Sequence, residues 1–154
     1  MDLIPPISIQ TSLTGSSKLI ARVFLLAWVF IVSCSEQMDP FLQKANEEWI
    51  QGRTHSAIEM FNAILKKHPT GPLAEEALFR LGEIHHFSLN DSIQAISYFK
   101  EVMQLNKNSS FSLDAQKYIA EILEFTFKDY DQAIIEYQRL IHKLNGSQNS
   151  SDHQ

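Results

Sequence analysis

Cysteine is almost absent from this chain. Cys34 is the only one among 154 residues, so no disulfide can form within the chain and the fold must be held by packing. The sequence also lacks a Gly-rich phosphate loop, a Gly-x-Ser-x-Gly elbow and a Cys-x-x-Cys pair. Because these motifs mark several large enzyme classes, their absence argues against an enzyme.

Clusters of basic residues are lacking as well. The chain has 13 Lys and Arg against 18 Asp and Glu, which gives a net charge of -5. Phosphate binding depends on clustered Lys and Arg, so this sequence argues against a nucleic-acid partner. The one basic pair, Lys66 and Lys67, falls at a predicted helix end, where it complements the negative end of the helix dipole.

The uncharged apolar run at residues 23–32 is too short to cross a membrane, which takes about 20 helical residues. Lys18 and Arg22 precede the run and Ser33 follows it, an order typical of a secretory signal. We predict a signal peptide over residues 1–33, with a long lead before Lys18. The alternatives are an uncleaved signal anchor extended through residues 19–20 and a secretory peptide with an incidental cysteine.

The end of this segment, Ile31-Val32-Ser33-Cys34, resembles the lipobox of bacterial lipoproteins. In that family the cysteine is acylated and becomes the first residue of the mature chain. Each buried methylene contributes about 0.8 kcal/mol, so several acyl chains anchor a protein stably. The resemblance implies lipidation at Cys34, a lipidated tether over residues 34–39 and a place on the periplasmic side of the envelope. Ser35 after the cysteine implies the outer membrane.

Three copies of one apolar pattern occur at a fixed interval of 38 residues. The copies are Ala57-Ile58-x-x-Phe61-x-x-Ile64-Leu65, Ala95-Ile96-x-x-Phe99-x-x-Val102-Met103 and Ala133-Ile134-x-x-Tyr137-x-x-Leu140-Ile141. Each copy places its apolar residues on one face of a helix, and the interval is typical of stacked helical units. We predict a helical-repeat domain over residues 40–144 and a disordered polar tail over residues 145–154.

Each unit is predicted to be a pair of helices. In the first unit, Asp39 and Pro40 give a helix start through a side-chain cap and a proline in the first turn. This helix is predicted to run to Ile50, and Thr54 is predicted to cap a second helix that reaches His68. The first unit fits the other two only if its loop is one residue shorter.

Small residues recur where the two helices of each unit should meet. They let the paired helices approach to about 8–10 Å, whereas larger side chains would hold them apart. In the first helix of the chain, Phe41, Ala45 and Trp49 are predicted to share one face. The small residues are Ala45, Gly82 and Ala120 in the first helices and Ala57, Ala95 and Ala133 in the second helices.

These residues resemble the tetratricopeptide repeat, with a small residue in the first helix, an alanine early in the second and an aromatic residue four positions later. The resemblance implies an all-α fold in which three helix-turn-helix repeats stack as a short right-handed solenoid. Residues 77–84, preceded by His68 and Pro69, are similar to the bacterial-envelope branch of that superfamily. This branch includes the periplasmic partner of the Tol-Pal system and the lipoprotein of the outer-membrane β-barrel assembly machinery.

The resemblance also implies a concave partner-binding wall on the first helices. Such an aromatic and acidic wall suits an extended or helical peptide with basic and apolar side chains. The alternative is that Trp49, Phe87 and Phe125 pack between repeats and that the acidic residues form a solvated face. The residues carried over to the wall are Leu42, Asn46, Trp49, Ile50, Phe79, Glu83, His86, Phe87, Lys117, Glu121, Glu124 and Phe125.

Histidine is the remaining candidate for chemistry. Glu83-x-x-His86 has the spacing of a di-iron ligand pair, but such a site needs a second pair and two further carboxylates. The chain has no second pair, so we predict neither a metal nor a cofactor. His85 falls where Leu123 falls in the next unit and is predicted to be half-buried.

The sequence therefore predicts a lipid-anchored, non-enzymatic adaptor of the bacterial envelope that binds a partner peptide or subunit through its repeat surface. One alternative is a permanent structural subunit of an envelope assembly complex, and another is a metal-dependent enzyme that uses Glu83 and His86. No polar capping helix is predicted after the third unit. We expect Tyr137, Leu140 and Ile141 to leave an apolar strip there for self-association or partner docking.

Overall fold

The computed structural model describes residues 39–151. The predicted signal peptide, the lipidation site at Cys34 and the tether up to residue 38 lie outside the described residues. Within residues 39–151 no strand occurs, and no helix in that range is both long and apolar enough to cross a membrane.

The described chain consists of α-helices and two π-helical turns that belong to one compact unit. The turns, here named π1 and π2, continue the helices that precede them. In chain order the elements are α1 (Pro40–Ile50), α2 (Thr54–Lys67), α3 (Pro72–Glu83), π1 (Ile84–Ser88), α4 (Ser92–Leu105), α5 (Ser110–Glu121), π2 (Ile122–Phe127) and α6 (Tyr130–Ser151).

The helices are arranged as three stacked hairpins. The pairs α1 and α2, α3 and α4, and α5 and α6 pack together, and each pair packs on the next through α2 with α3 and α4 with α5. Because every helix contacts its neighbours in the chain, the fold is built from local packing of the kind that repeat proteins use. This confirms the predicted all-α helical-repeat solenoid.

The start of the first unit follows the prediction, and the start of its second helix does not. The Asp39 carboxylate accepts hydrogen bonds from the backbone N–H groups of Phe41, at 2.8 Å, and Leu42, at 3.3 Å. At α2 the cap position belongs to Arg53, whose side chain makes no capping bond, and Thr54 is already helical. The predicted Thr54 cap is therefore wrong, because the helix begins at Thr54 itself, one residue earlier than predicted.

The 38-residue interval recurs in the backbone geometry. Gly52, Asn90 and Lys128 stand 38 residues apart, and their φ angles are +77°, +56° and +56°. Each of these residues lies in the left-handed region and turns the chain from a first helix to a second helix. The next residue in units two and three is an aspartate, Asp91 or Asp129, which accepts a bond from the N–H three positions on at 3.1 Å.

The one-residue difference between the first unit and the others lies in a helix end. From the small residue to the left-handed residue the chain takes seven steps in unit one, from Ala45 to Gly52, and eight in unit two, from Gly82 to Asn90. A π-helical turn accommodates an additional residue within a helix. In units two and three the extra residue therefore lies within the π-helical turns π1 and π2. The first unit does not have a shorter loop, so that prediction is wrong.

The predicted small residues and aromatic residues form the core. All six small residues are buried, and Phe61 and Phe99 lie beside them with no exposed surface. A Cβ atom added at Gly82 would lie 2.6 Å from Cε1 of Phe99. Close packing of the helix pairs thus depends on these positions, as the sequence predicts.

Two details of the predicted helices differ from the structure. Phe41 is 46% exposed, and Leu42 takes the core position that Phe41 was expected to share with Ala45. Residues 145–151 of the predicted disordered tail continue α6 as helix, and the rest of that tail lies outside the described residues. No proline follows Leu144 to interrupt the helical hydrogen bonds.

Candidate functional site

The first helices and the turns after them present one joined group of side chains. We call this group the first-helix face and define it by Trp49, Glu83, His86, Phe87 and Tyr118. Trp49 belongs to α1, Glu83 to the end of α3, His86 and Phe87 to π1, and Tyr118 to α5. The face therefore contains residues from all three units.

A hydrogen bond links the first unit to the second on this face. The indole Nε1 of Trp49 donates to the hydroxyl of Ser88 in π1 at 2.8 Å. Trp49 is half-buried, so part of its ring remains open to solvent while its N–H has a partner. The bond holds the ring beside the turn that carries Phe87.

Tyr118 links the second unit to the third. Its ring is stacked on the buried Phe99 ring, with 5.2 Å between the ring centroids. It also packs edge to face with the Phe87 ring, at a centroid distance of 5.7 Å. Its hydroxyl donates to the Glu83 carboxylate at 3.4 Å. Burial raises the pKa of Tyr118, and the Glu83 charge raises it further, so the phenol remains a donor at neutral pH.

The carboxylates of the predicted wall have partners within the chain. Glu83 accepts from Arg80 at 2.8 Å, and Glu121 lies 3.6 Å from the Lys117 ammonium. Glu124 accepts from the Tyr137 hydroxyl at 2.9 Å, and burial together with this bond raises the pKa of Tyr137 to about 12. The wall is thus less acidic towards a partner than its sequence indicates, because bonded charges attract a ligand less strongly.

Two of the predicted wall residues are core residues. Phe79 is 5% exposed and packs among Phe99, Phe111 and Tyr118, and Leu42 is 1% exposed. The aromatic contacts of Phe79 place its ring between repeats, a position that the alternative interpretation had given only to Trp49, Phe87 and Phe125. Both side chains are taken up by contacts within the core and not displayed on a wall, so these two assignments are wrong.

The other predicted residues lie at or near the surface. Trp49, Glu83 and His86 are brought together with Phe87, whereas Lys117 and Glu121 lie one turn apart on α5. Glu124 is turned towards α6 through Tyr137, and Asn46 is half-buried on α1. Four of the five residues of this face are among those that the sequence proposes, and their role in binding stays a prediction.

Exposed aromatic rings mark the two π-helical turns. Phe87 is 59% exposed and Phe125 is 71% exposed, and they occupy matching positions 38 residues apart. The Phe87 ring contacts the His86 ring, with 4.5 Å between the ring centroids, and also contacts the Tyr118 ring.

The sequence analysis did not identify Tyr118 as a residue of this face. The equivalent position of the second unit is Arg80, so no repeated aromatic pattern marks the site.

The histidines do not form a metal centre with neighbouring ligands. His85 is half-buried, as predicted, with its ring 5.2 Å from that of Tyr98 and its Nδ1 3.7 Å from an Asp91 carboxylate oxygen. Among residues 39–151, no group of three His, Cys, Asp or Glu side chains is placed to hold a metal ion. The arrangement offers aromatic surface and hydrogen-bonded polar groups, which suit binding more than catalysis.

The fold defines an all-α helical-repeat protein. The tetratricopeptide repeat family matches residues 75–109, the stretch that begins in α3 and includes π1 and α4. The match supports a tetratricopeptide-repeat protein, and such repeats generally mediate protein–protein interaction. No curated protein matches the chain.

Proposed function

We propose that this protein is a non-enzymatic adaptor that binds a partner protein or peptide through the first-helix face together with Phe125 of π2. The observation that carries the proposal is the exposure of Phe87 and Phe125 at matching positions of two successive units. The exposed Phe87 ring, which contacts half-buried Tyr118, and the exposed Phe125 ring offer the large, rigid contacts that dominate protein interfaces. The repeat family supports the same class of function.

The chemistry of the face favours a partner segment with apolar side chains and a smaller number of basic groups. Aromatic rings supply the apolar contact, and their faces also attract cations. Glu83 and Glu121 add negative charge, although Arg80 and Lys117 pair with them. We therefore expect basic groups of the partner to contribute less to affinity than its apolar side chains.

Photo-crosslinking in cells tests this assignment. A photoreactive phenylalanine analogue is placed at position 87 or 125 and, as a matched control, at Phe41, an exposed aromatic residue of α1. We expect discrete protein adducts from positions 87 and 125 and none from position 41. Equal adducts from all three positions would contradict the proposal.

Once the crosslinked partner is identified, its affinity for the protein is the second measurement. Replacing Phe87 and Phe125 together by Ala is expected to weaken binding of that partner by about tenfold or more, because truncating an aromatic anchor costs over about 1 kcal/mol. Phe41→Ala is the control and should leave the affinity unchanged. An unchanged affinity in the double variant would mean that the rings are not the anchors.

A second candidate is a permanent structural subunit of an envelope assembly, and the end of the repeat stack favours it. We call Ile134 and Ile141 of α6 the terminal face; they are 53% and 57% exposed. Their counterparts in the second unit, Ile96 and Met103, are packed against the core. The terminal face is therefore open for a fixed neighbour or a second copy of the chain.

Crosslinking in cells distinguishes the two candidates. A single stable crosslinked neighbour would favour the structural subunit, and several transient neighbours would favour the adaptor.

We propose further that the protein is lipid-anchored on the periplasmic side of the bacterial envelope, at the outer membrane. The support is in the sequence: a basic start, an apolar run and the lipobox-like residues that end at Cys34. The similarity of residues 77–84 to the envelope branch adds to it. Mass spectrometry of membrane-extracted protein tests the anchor, since an intact Met1 or an unmodified Cys34 would contradict it.

A further inference from the structure

A groove of about 820 Å³ lies between α4 and α6 and is also lined by residues of α5. We call it the second-helix groove and define it by Lys100 of α4, Lys107 of the loop between α4 and α5, Gln116 of α5, and Glu136, Arg139 and Lys143 of α6. Met103, Ile119 and Ile135 contribute apolar surface to the same groove. Its volume is in the range of ligand-binding clefts.

The groove is strongly basic in an acidic chain. Residues 39–151 hold eleven of the 13 Lys and Arg and 15 of the 18 Asp and Glu, which leaves a net charge of -4 for the described part. Four of those eleven cations line this one groove, against a single carboxylate. The charge of the groove is therefore opposite to that of the surrounding protein, and it will attract anionic groups.

Most of this positive charge is not balanced within the structure. Arg139 pairs with Glu136 at 2.6 Å, but among the described residues Lys100, Lys107 and Lys143 form no ion pair. Burial lowers the pKa of the Lys143 ammonium; Glu136 opposes that shift and Lys107 adds to it. Bringing a carboxylate into the groove would offset this unfavourable arrangement of like charges.

The preceding unit carries different residues at the positions of Gln116 and Glu136. Thirty-eight residues before them stand Leu78, which is buried, and Tyr98, which packs against the core. In the second unit these two repeat positions therefore belong to the core. In the third unit a polar pair occupies them instead, so this unit departs from the repeat at these positions.

Gln116 is an unusual residue for such a place. Its side chain is 1% exposed, and its Nε2 donates to Glu136 at 3.0 Å. Its Oε1 is buried and accepts no hydrogen bond in the structure. A buried acceptor without a donor is unfavourable, and an N–H group of a bound peptide would satisfy it.

From the charge, the apolar surface and the unsatisfied Gln116 acceptor, we propose that the second-helix groove binds an acidic segment of a partner protein that also carries an apolar side chain. Met103 and Ile135 give that side chain a contact that a phosphate backbone cannot use. The net negative charge of the chain disfavours long polyanions such as nucleic acid. The peptide backbone supplies the donor for Gln116.

This site is separate from the first-helix face, to which α5 contributes Tyr118. Successive residues of a helix are rotated by about 100°, so Gln116 and Tyr118, two positions apart, project from nearly opposite sides of α5. The inference does not rest on the proposed adaptor face. The protein would thus carry two binding surfaces of opposite chemistry.

Direct binding to synthetic peptides tests the proposal with the full-length chain in a nonionic detergent. The probes are short fluorescein-labelled peptides in which glutamates flank one leucine or phenylalanine, together with matched peptides that carry lysine in place of glutamate. We expect saturable binding of acidic peptides by fluorescence anisotropy, with an affinity that falls as salt is added. No saturable binding of any acidic peptide below about 1 mM would overturn the proposal.

Two sets of variants locate the site. Lys100→Glu with Lys107→Glu is expected to weaken acidic-peptide binding by about tenfold or more, because charge reversal turns attraction into repulsion. Lys66→Glu with Lys67→Glu makes the same charge change at the exposed end of α2 and should leave affinity almost unchanged. Equal losses in both double variants would overturn the proposal, since net charge alone would then explain binding.

The uncharged variant Gln116→Leu copies the residue of the preceding unit and is expected to weaken binding several-fold, with unchanged helicity by circular dichroism. Phe87→Ala with Phe125→Ala should leave peptide binding intact, so failure of the adaptor face is distinguished from failure of this groove. Single-stranded DNA and phosphatidylglycerol vesicles are tested as alternative ligands. The assignment to a protein partner would be overturned if either bound more tightly than every acidic peptide and if the Lys100→Glu, Lys107→Glu variant no longer bound it.

Discussion

Gly82 shows how a single missing methyl group sets the spacing of a helix pair. Its position in the other units is taken by alanine, at Ala45 and Ala120, so the need for glycine arises from the ring opposite it. Phe99 is fully buried, lies 5.6 Å from the Phe79 ring and stacks on Tyr118. Because these rings hold Phe99 in place, it has little freedom to move away from an added Cβ.

We expect Gly82→Ala to lower the free energy of unfolding by about 1–2 kcal/mol. Overpacking costs about 1–3 kcal/mol, and the better helix propensity of alanine returns up to about 1 kcal/mol. Urea denaturation followed by circular dichroism measures the change. Gly146→Ala is the matched control, since nothing lies within 4 Å of an added Cβ and the variant should be neutral or stabilising. A higher midpoint for Gly82→Ala than for the parent would contradict the expectation.

The junctions between helices carry the regularity of the repeat as much as the helices do. Gly52, Asn90 and Lys128 turn the chain in the same way at each first-to-second junction. In the first unit no aspartate follows, and the junction is held by a different device. Arg53 donates from Nε and from its terminal nitrogen to both oxygens of Glu48, at 2.5 and 2.7 Å.

This pairing gives a prediction about acid pH. The bond from Arg53 lowers the pKa of Glu48 from 4.5 to about 2. Because the folded pKa is lower than the unfolded one, the pair stabilises the fold above about pH 4.5, and this contribution is lost as the pH falls towards 2. Arg53→Gln should therefore return the Glu48 pKa to its ordinary range and reduce the acid sensitivity of stability in that window.

Carbon-detected nuclear magnetic resonance titration of the Glu48 carboxyl measures the shift directly. Lys66→Gln removes a cation from the end of α2 and should leave the Glu48 pKa unchanged. An unaltered Glu48 pKa in Arg53→Gln would show that the bidentate pair does not hold the junction in solution.

The stack as a whole has two different sides and one open end. Aromatic rings cluster on the first-helix face, cations line the second-helix groove, and the terminal face exposes Ile134 and Ile141. Of the apolar strip predicted at this end, Ile141 is exposed, whereas Tyr137 and Leu140 are partly buried. Adjacent exposed apolar residues at the end of a solenoid favour association.

We expect the full-length chain in detergent to self-associate reversibly through the terminal face. Ile134→Glu with Ile141→Glu should shift the protein towards monomer in analytical ultracentrifugation, because charges on both copies would then face each other. Ile50→Glu with Ile93→Glu is the control, since these two residues are 82% and 74% exposed and lie outside α6. A monodisperse monomer of the parent protein at high concentration would rule out this use of the terminal face.

Much of this architecture follows from local sequence. The 38-residue interval, the Asp39 cap and the small residues at the helix contacts predict the helix pairs and their packing, and the structure agrees. These features depend on hydrogen bonds and side-chain contacts between residues near one another in the chain, which is why a pattern reveals them. The same reasoning correctly placed Trp49, Glu83 and His86 near the surface.

Other features were decided only by packing between units. A pattern cannot tell whether an extra residue lengthens a loop or widens a helix into a π-helical turn, so π1 and π2 had no sequence signal. The orientation of Phe79 depends on Phe99, Phe111 and Tyr118, which come from other helices. Pairing within the chain also neutralises carboxylates that the sequence presents as a charged wall.

The basic groove is the clearest case of this division. The sequence by itself determined that the chain is acidic and has no cluster of basic residues close together in the sequence. Lys100 and Lys107 are separated from Arg139 and Lys143 by all of α5, and only the stacking of α4 beside α6 brings them together. Electrostatic potential depends on distance in space, so the tertiary structure alone decided that an acidic protein has a cationic site.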